Sequence, residues 1–318
     1  MRSATGASRS KIQQDFMSAL RELIFAVQAT LRLYTLMTRQ VSTVYFLVFV
    51  VIGLGFVYFL SKPSSSDGLV KVHMLDVGQG DSFLVEGANG TQMLIDGGRD
   101  ESALIELSKV MPQSDRTIDV IIATHPDADH VGGLSHILQR YKIGIFLSSQ
   151  VFTDTETFEN LYETLDEKKI PAYFVRKGMA INLNDEIGTK FTVLFPDRDT
   201  SNWETNSASV VGRLDVKERS ILFTGDAPLS VEENIDPNLV DVDILKIGHH
   251  GSKTSTGENF LRSTTPVMAL ISAGVNNRYG HPAPEIVDRL QKFGIKFLST
   301  QEEGTVTLET DGKRWFKK

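Results

Sequence analysis

From Leu69 to the C-terminus the chain is a succession of short β-rich runs separated by amphipathic stretches. That rhythm limits the fold more than any other feature. VKVHMLDV, SFLVEG, TQMLID, DVIIAT, GIFLSS, KFTVLF, SVVGRLDV, RSILFTG, VDILKIG, VMALISA, IKFLST and GTVTLE read as strands. ALIELSKV, VGGLSHILQRY, ETFENLYETLDEK, GENFLRS and PEIVDRLQKFG carry apolar residues at helical spacing. About a dozen strands and five helices alternate irregularly, which points to a layered α/β domain with mixed sheets rather than a regular doubly wound one.

A different kind of sequence precedes this domain. No residue from Gln40 to Ser61 is charged, and VSTVYFLVFVVIGLGFVYFL within it is 20 residues long. A helix of that length spans about 30 Å, the thickness of a bilayer core. Tyr45 and Tyr58 stand near its two ends, and Arg32 and Arg39 precede it. The positive-inside rule then puts the N-terminus in the cytoplasm and the C-terminal domain outside the cell. Apolar residues step by three or four through residues 11–38, from Ile12 and Phe16 to Leu31 and Tyr34. That pattern suits an amphipathic helix on a membrane surface or against a partner. The expected organisation is a cytoplasmic amphipathic segment over 1–39, a single-pass cell-membrane anchor over 40–61, a polar linker over 62–68 and a globular domain over 69–318.

Composition narrows the chemistry. The chain has no cysteine, which excludes disulfides, thiolate zinc sites, iron–sulfur clusters and cysteine nucleophiles. Residues 1–66 carry seven basic and two acidic residues, whereas the remainder carries 26 and 38, a net charge of −12. Bulk charge therefore argues against non-specific polyanion binding by the C-terminal domain.

Histidines and carboxylates gather after predicted strands. Thr124-His125-Pro126-Asp127-Ala128-Asp129-His130 follows DVIIA and places four possible metal ligands within six residues. Residues i and i+2 of an extended segment point the same way, so His125 and Asp127 can share an ion. Asp129 and His130 open the next helix and turn towards a neighbouring position. Asp226 ends LFTGD, where Gly225 permits a sharp turn. His249-His250 follows VDILKIG; adjacent side chains diverge, so one of the two is expected to ligate. Three strand ends of this kind can close a two-metal site bridged by Asp226. His73, within a strand, and His136, within a helix, read as structural.

LDVGQGDSFLV, MLIDGG, THPDADHVGGL, ILFTGD, LKIGHHGSKTS and NNRYGHP resemble, in order, the metallo-β-lactamase-fold domain of ComEC-type competence proteins. The resemblance runs from about Val70 to Glu309. It implies a four-layer αββα metallo-β-lactamase sandwich with a binuclear metal site at strand ends, and hydrolase activity proposed to be that of a nuclease in DNA uptake. His125 and Asp127 would bind one divalent ion. Asp129 and His130, with His249 or His250, would bind the other, and Asp226 would bridge. Asp76 matches the first acidic position, which supports the metal histidines. Asn206, Ser209 and His281 would lie near the scissile group. The sequence departs from the superfamily pattern where Asp127 replaces a histidine and where Asn206-Ser207-Ala208-Ser209 stands in place of a ligand histidine. Both changes enrich oxygen ligands and tilt the preference from zinc towards manganese. One predicted span cannot form the channel of a competence protein, so a separate channel protein is an expected partner.

The expected function is a membrane-anchored metal-dependent hydrolase of DNA or another phosphodiester. Asp129 sits at the catalytic metal, His281 acts as the acid, and Lys253 or Arg278 gives electrostatic help. Alternatives are hydrolysis of a lactone, β-lactam or thioester, or a catalytically idle DNA- or partner-binding module.

Overall fold

The computed structural model describes residues 68–184 and 188–318. The amphipathic segment over 1–39, the anchor over 40–61 and nearly all of the linker over 62–68 lie outside them. Among the described residues no helix is long and apolar enough to cross a membrane.

The chain first runs through β1 (Val70–Met74), β2 (Phe83–Glu86), β3 (Gln92–Ile95), β4 (Thr117–Ala123), β5 (Lys142–Ser148) and β6 (Ala172–Phe174). It continues through β7 (Ala180–Asn184), β8 (Thr189–Phe195), β9 (Val211–Val216), β10 (Arg219–Phe223), β11 (Ile244–Lys246), β12 (Met268–Ile271) and β13 (Lys296–Ser299). Strands β14 (Val306–Thr310) and β15 (Trp315–Lys317) close it. Two sheets result, ordered β15-β14-β1-β2-β3-β4-β5-β6 and β13-β12-β11-β10-β9-β8-β7. Both are mixed: β1 to β3 and β7 to β10 pair antiparallel, whereas β3 to β6 and β10 to β13 pair parallel. The twelve expected strands are present, and β6, β7 and β15 are additional.

Burial on both faces of each sheet explains the apolar runs. In β2, Phe83 and Val85 join the core between the sheets while Leu84 faces the outer core. In β10, Ile221 and Phe223 point inward and Leu222 outward. The side chains of a strand alternate, so each sheet needs a cover on its far face. On the first sheet the cover is α1 (Ser102–Val110), α2 (Ala128–Val131), α3 (Leu134–Arg140) and α4 (Glu156–Glu167), which bury Leu107, Val131, Ile137 and Leu161 against Leu94 and Ile121. On the second it is α5 (Leu229–Glu232), α6 (Glu258–Thr264) and α7 (Pro284–Lys292), which bury Val231, Phe260, Ile286 and Leu290 with Leu222 and Leu245. A single turn, α8 (Thr300–Glu303), precedes β14. The layers are thus helix, sheet, sheet, helix, as the resemblance implied.

Candidate metal centre

The site forms where β4, β10 and β11 end. The parallel pairings β3–β4 and β10–β11 bring these ends out on the same side of their sheets. Past β4 the chain turns through His125 and Asp127 into α2, and the His130 side chain is fully buried. Past β10 it turns at Gly225, whose φ is +50° and whose missing Cβ would lie 3.1 Å from the Cβ atoms of Ser209 and Thr124. Only glycine combines that conformation with that close approach at low cost. Past β11, His249 and His250 both adopt left-handed backbone, with φ of 50° and 56°. Side chains rarely take this conformation without a compensating role.

These three turns converge on one oxygen. Asp226 Oδ2 lies 3.2 Å from His130 Nε2, 3.4 Å from His250 Nε2 and 3.6 Å from His249 Nε2. His125 packs on His130 with ring centroids 4.0 Å apart, and its Nε2 is 3.7 Å from Asp127 Oδ2. Asp129 Oδ2 is 3.8 Å from His250 Nε2. The Nε2 atoms of His125, His130 and His250 are buried without a hydrogen bond. A buried imidazole nitrogen of that kind carries a desolvation penalty that a bound cation would lift. Carboxylate and imidazole donors also suit a divalent ion, so the residues fit a metal. Asp81, His130, Asp226 and His250 offer donor atoms that all lie within 4.8 Å of one another.

The opposite ring nitrogens are held by carboxylates. His130 Nδ1 is 2.7 Å from Asp96 Oδ2, and Asp96 also accepts from the backbone N–H and the hydroxyl of Thr124. His250 Nδ1 lies 3.0 Å from the Ser272 carbonyl and 3.2 Å from Asp81 Oδ1. Such partners fix the ring orientation and leave Nε2 for the ligand. The supporting role expected of Asp76 therefore falls to Asp96 and Asp81. Asp76 instead accepts from Gly78 N–H at 3.3 Å in its own turn. Both true partners lie within motifs quoted above, at the ends of GQGD and MLID, but neither stands near a histidine in sequence.

Sequence reasoning also missed Lys246. It is 1% exposed; its ammonium pairs with Asp81, donates to Gly225 O at 2.7 Å and stands 3.5 Å from Asp226 Oδ1. The ammonium therefore faces one oxygen of Asp226 while the imidazoles face the other. Burial opposes ionisation of Asp226, yet His250, His130 and Lys246 hold its carboxyl well below the usual range. Burial, then the neighbouring His130, keeps His125 well below the ordinary imidazole value, in the neutral form a ligand requires.

The remaining candidates lie at different distances from the centre. Ser209 Oγ accepts from Asp226 N–H at 3.2 Å, so it braces the turn where the superfamily pattern has a histidine. Asn206 Oδ1 is buried without a partner. His281 stands edge-on to His249 with centroids 5.7 Å apart, and its Nδ1 is also unpartnered. Lys253 is exposed. Both His249 and His250 reach Asp226, rather than one alone. His73 is structural as expected, held between Glu86 and Thr307, and His136 lies on the exposed side of α3.

Two sheets in four layers, with an Asp/His cluster at the strand ends, define a metallohydrolase fold. The family model of the Metallo-beta-lactamase superfamily matches residues 75–274, and the chain belongs to that superfamily. It is 30% identical over 303 residues to ComE operon protein 3 of Bacillus subtilis, covering 89% of this chain and 38% of that protein. It is 28% identical over 240 residues to competence protein ComA of Neisseria gonorrhoeae, covering 74% and 31%. The chain thus spans well under half the length of these relatives. Among solved structures, the metallo-β-lactamase fold protein YhfI of Bacillus subtilis aligns with a TM-score of 0.51 at 12% identity, over 76% of this chain and 99% of that one.

Proposed function

We propose that this protein is a membrane-anchored, divalent-metal phosphodiesterase that cleaves DNA during competence-type uptake. The observation that carries the reading is the set of imidazole nitrogens gathered at one carboxylate: His130, His250 and His249 Nε2 converge on Asp226 Oδ2, and His125 Nε2 is buried without a hydrogen bond, 3.7 Å from Asp127 Oδ2. A catalytically idle module would have no need to maintain them. The competence relatives support DNA as the substrate, and the absence of a ligand histidine between His136 and His249 separates this pocket from the superfamily's common pattern.

His125, Asp127, Asp129, His130, Asp226, His250 and His249 would hold two divalent ions, with manganese favoured over zinc by the oxygen-rich set. When bound, such ions supply a nucleophile from water at neutral pH and stabilise charge on the phosphoryl oxygens. The chain's own residues do the rest. Asp96 fixes the ring plane of His130, and the Ser272 carbonyl, with the Asp81 carboxylate beside it, that of His250. Lys246 keeps Asp226 turned with one oxygen to the pocket. His281, at the rim beside His249, gives a proton to the leaving oxygen. Burial, then the nearby His249, hold its pKa below the usual value, so the form able to give that proton is the minority one near neutral pH.

The test is the full-length chain in detergent with Mn²⁺ or Zn²⁺, assayed on single- and double-stranded DNA, bis(p-nitrophenyl) phosphate and a chromogenic β-lactam. Phosphodiester cleavage with negligible β-lactam turnover is expected. Asp226→Ala should lose both ions by elemental analysis and the activity by several orders of magnitude. A folded, metal-loaded protein that spares every phosphodiester and opens the β-lactam overturns the reading. The basic residues before the uncharged run support a domain outside the cell, so protease added to spheroplasts should digest it; full protection refutes that orientation.

A further inference from the structure

Beside the metal cluster lies a cavity of about 360 Å³ lined by Gln79, Arg99, Asn277, Arg278 and Tyr279. Two separate routes join it to the cluster. On one side Arg99 Nη2 stands 3.7 Å from Asp129 Oδ2, itself 3.8 Å from His250 Nε2. On the other, the Arg278 guanidinium lies over the Tyr279 ring at 4.8 Å, and Tyr279 stacks on His281 at 5.6 Å with planes 21° apart. His281 in turn meets His249.

The loop that presents Arg278 is fixed in advance. The Asn277 amide donates to the carbonyls of Gly274 and His281 and accepts from the N–H groups of Tyr279 and His281. Gln301 donates to the same two carbonyls. Fixing these groups beforehand lowers the entropy lost when a ligand arrives.

The charge of Arg278 is available, and that of Arg99 is only loosely engaged by Asp129. Arg198, Arg213 and Arg219 each pair with a carboxylate at 2.8 Å or less. Among the described residues Arg278 pairs with none and donates only to the neutral Tyr279 hydroxyl, at 2.6 Å. Arg99 faces Asp129 beyond hydrogen-bond range, and its side chain is 46% exposed. In a domain of net charge −12, two such guanidiniums on one cavity are an unusual concentration. Their planar forks match phosphate oxygens better than any neutral ligand.

We propose that this cavity is an anion subsite for the phosphate adjoining the one that reacts, so the substrate is a phosphodiester chain and not an isolated diester. The inference rests on the phosphodiesterase reading and extends it from the bond cleaved to the polymer held. Arg99 and Arg278 are binding residues in it, and Tyr279 and Asn277 position Arg278.

Fluorescence anisotropy of the full-length chain with a phosphorothioate oligothymidylate of about twelve nucleotides, a length that spans a single-strand site, measures binding without turnover. Arg99→Gln with Arg278→Gln should weaken binding about tenfold or more and lower the slope of log K against log salt by about one to two. In kinetics with an ordinary oligonucleotide, kcat/KM should fall about tenfold further than for bis(p-nitrophenyl) phosphate, through KM. Both side chains are largely exposed, so thermal unfolding reports whether the variants are folded. An unchanged salt slope, or equal losses on polymer and small diester, overturns the subsite and leaves the phosphodiesterase intact. A wild-type chain that neither binds the oligonucleotide nor cleaves either phosphodiester overturns both.

Discussion

Lys246 shows how much of the pocket depends on a residue that ligates nothing. Its ammonium reaches the Asp81 carboxylate, the Gly225 carbonyl and the far oxygen of Asp226 from inside the core. Removing one partner of a buried ion pair leaves an uncompensated charge and costs about 3–5 kcal/mol. Lys246→Met is therefore expected to destabilise the fold by about that much in urea titrations, and adding Asp81→Asn should recover part of it. A loss in the double variant equal to the sum of the two single losses would mean that the two residues act independently. The candidate cluster itself was legible, because four donors crowd one strand-to-helix turn and the rest follow apolar runs. Asp81, Asp96 and Lys246 were not. Nothing in the stretch around each marks it as buried, and an unmarked charge in sequence looks like a solvated one. Only the packing of β1–β2 against the ends of β4 and β11 reveals that their partners are one another and the histidines.

The short turns around the helices decide a second property. Glu232 at the end of α5 accepts from the N–H groups of Thr256 and Gly257 ahead of α6. Burial nonetheless pushes its pKa from 4.5 up to about 7. Between those values the folded chain keeps a proton that the unfolded chain has lost, so this group's contribution to stability falls as pH rises from about 4.5 to 7. The loss is on the order of 3 kcal/mol. Glu232→Gln should flatten the difference in unfolding free energy across that window relative to wild type. A slope as steep in the variant as in wild type would show that Glu232 does not titrate there. Missed elements share a physical cause. The extra strands β6, β7 and β15 all lie at sheet edges, where one side lacks a neighbour and the apolar pattern fades. Every residue of β6 is exposed. The four-residue helices α5 and α8 are too short to display a helical period. Central strands, buried on both faces, declared themselves.

For the molecule as a whole, the layered architecture was legible because a dozen runs with so few long helices leave little choice besides stacked sheets. The acidic balance also acquires a meaning in the fold. Carboxylates that looked like a barrier to nucleic acid are in part the ones gathered inside the pocket: Asp81, Asp96 and Asp226 are all buried there. The bulk count therefore exaggerates the repulsion that a substrate meets at the surface. Local cations at the cavity rim, rather than net charge, are then what a DNA strand would encounter first.

The candidate ligands come from both sheets. His125, Asp127 and His130 follow β4 of the first, whereas Asp226 and the two adjacent histidines follow β10 and β11 of the second. Any ion held among them is a clasp across the seam between two halves of the chain, and neither half can grip it alone. By mass action, free metal at a hundred times its dissociation constant would add about 2.7 kcal/mol to the folded state at each site. Resistance of the folded domain to proteases would then rise and fall with the metal content of the surroundings, before any substrate arrives.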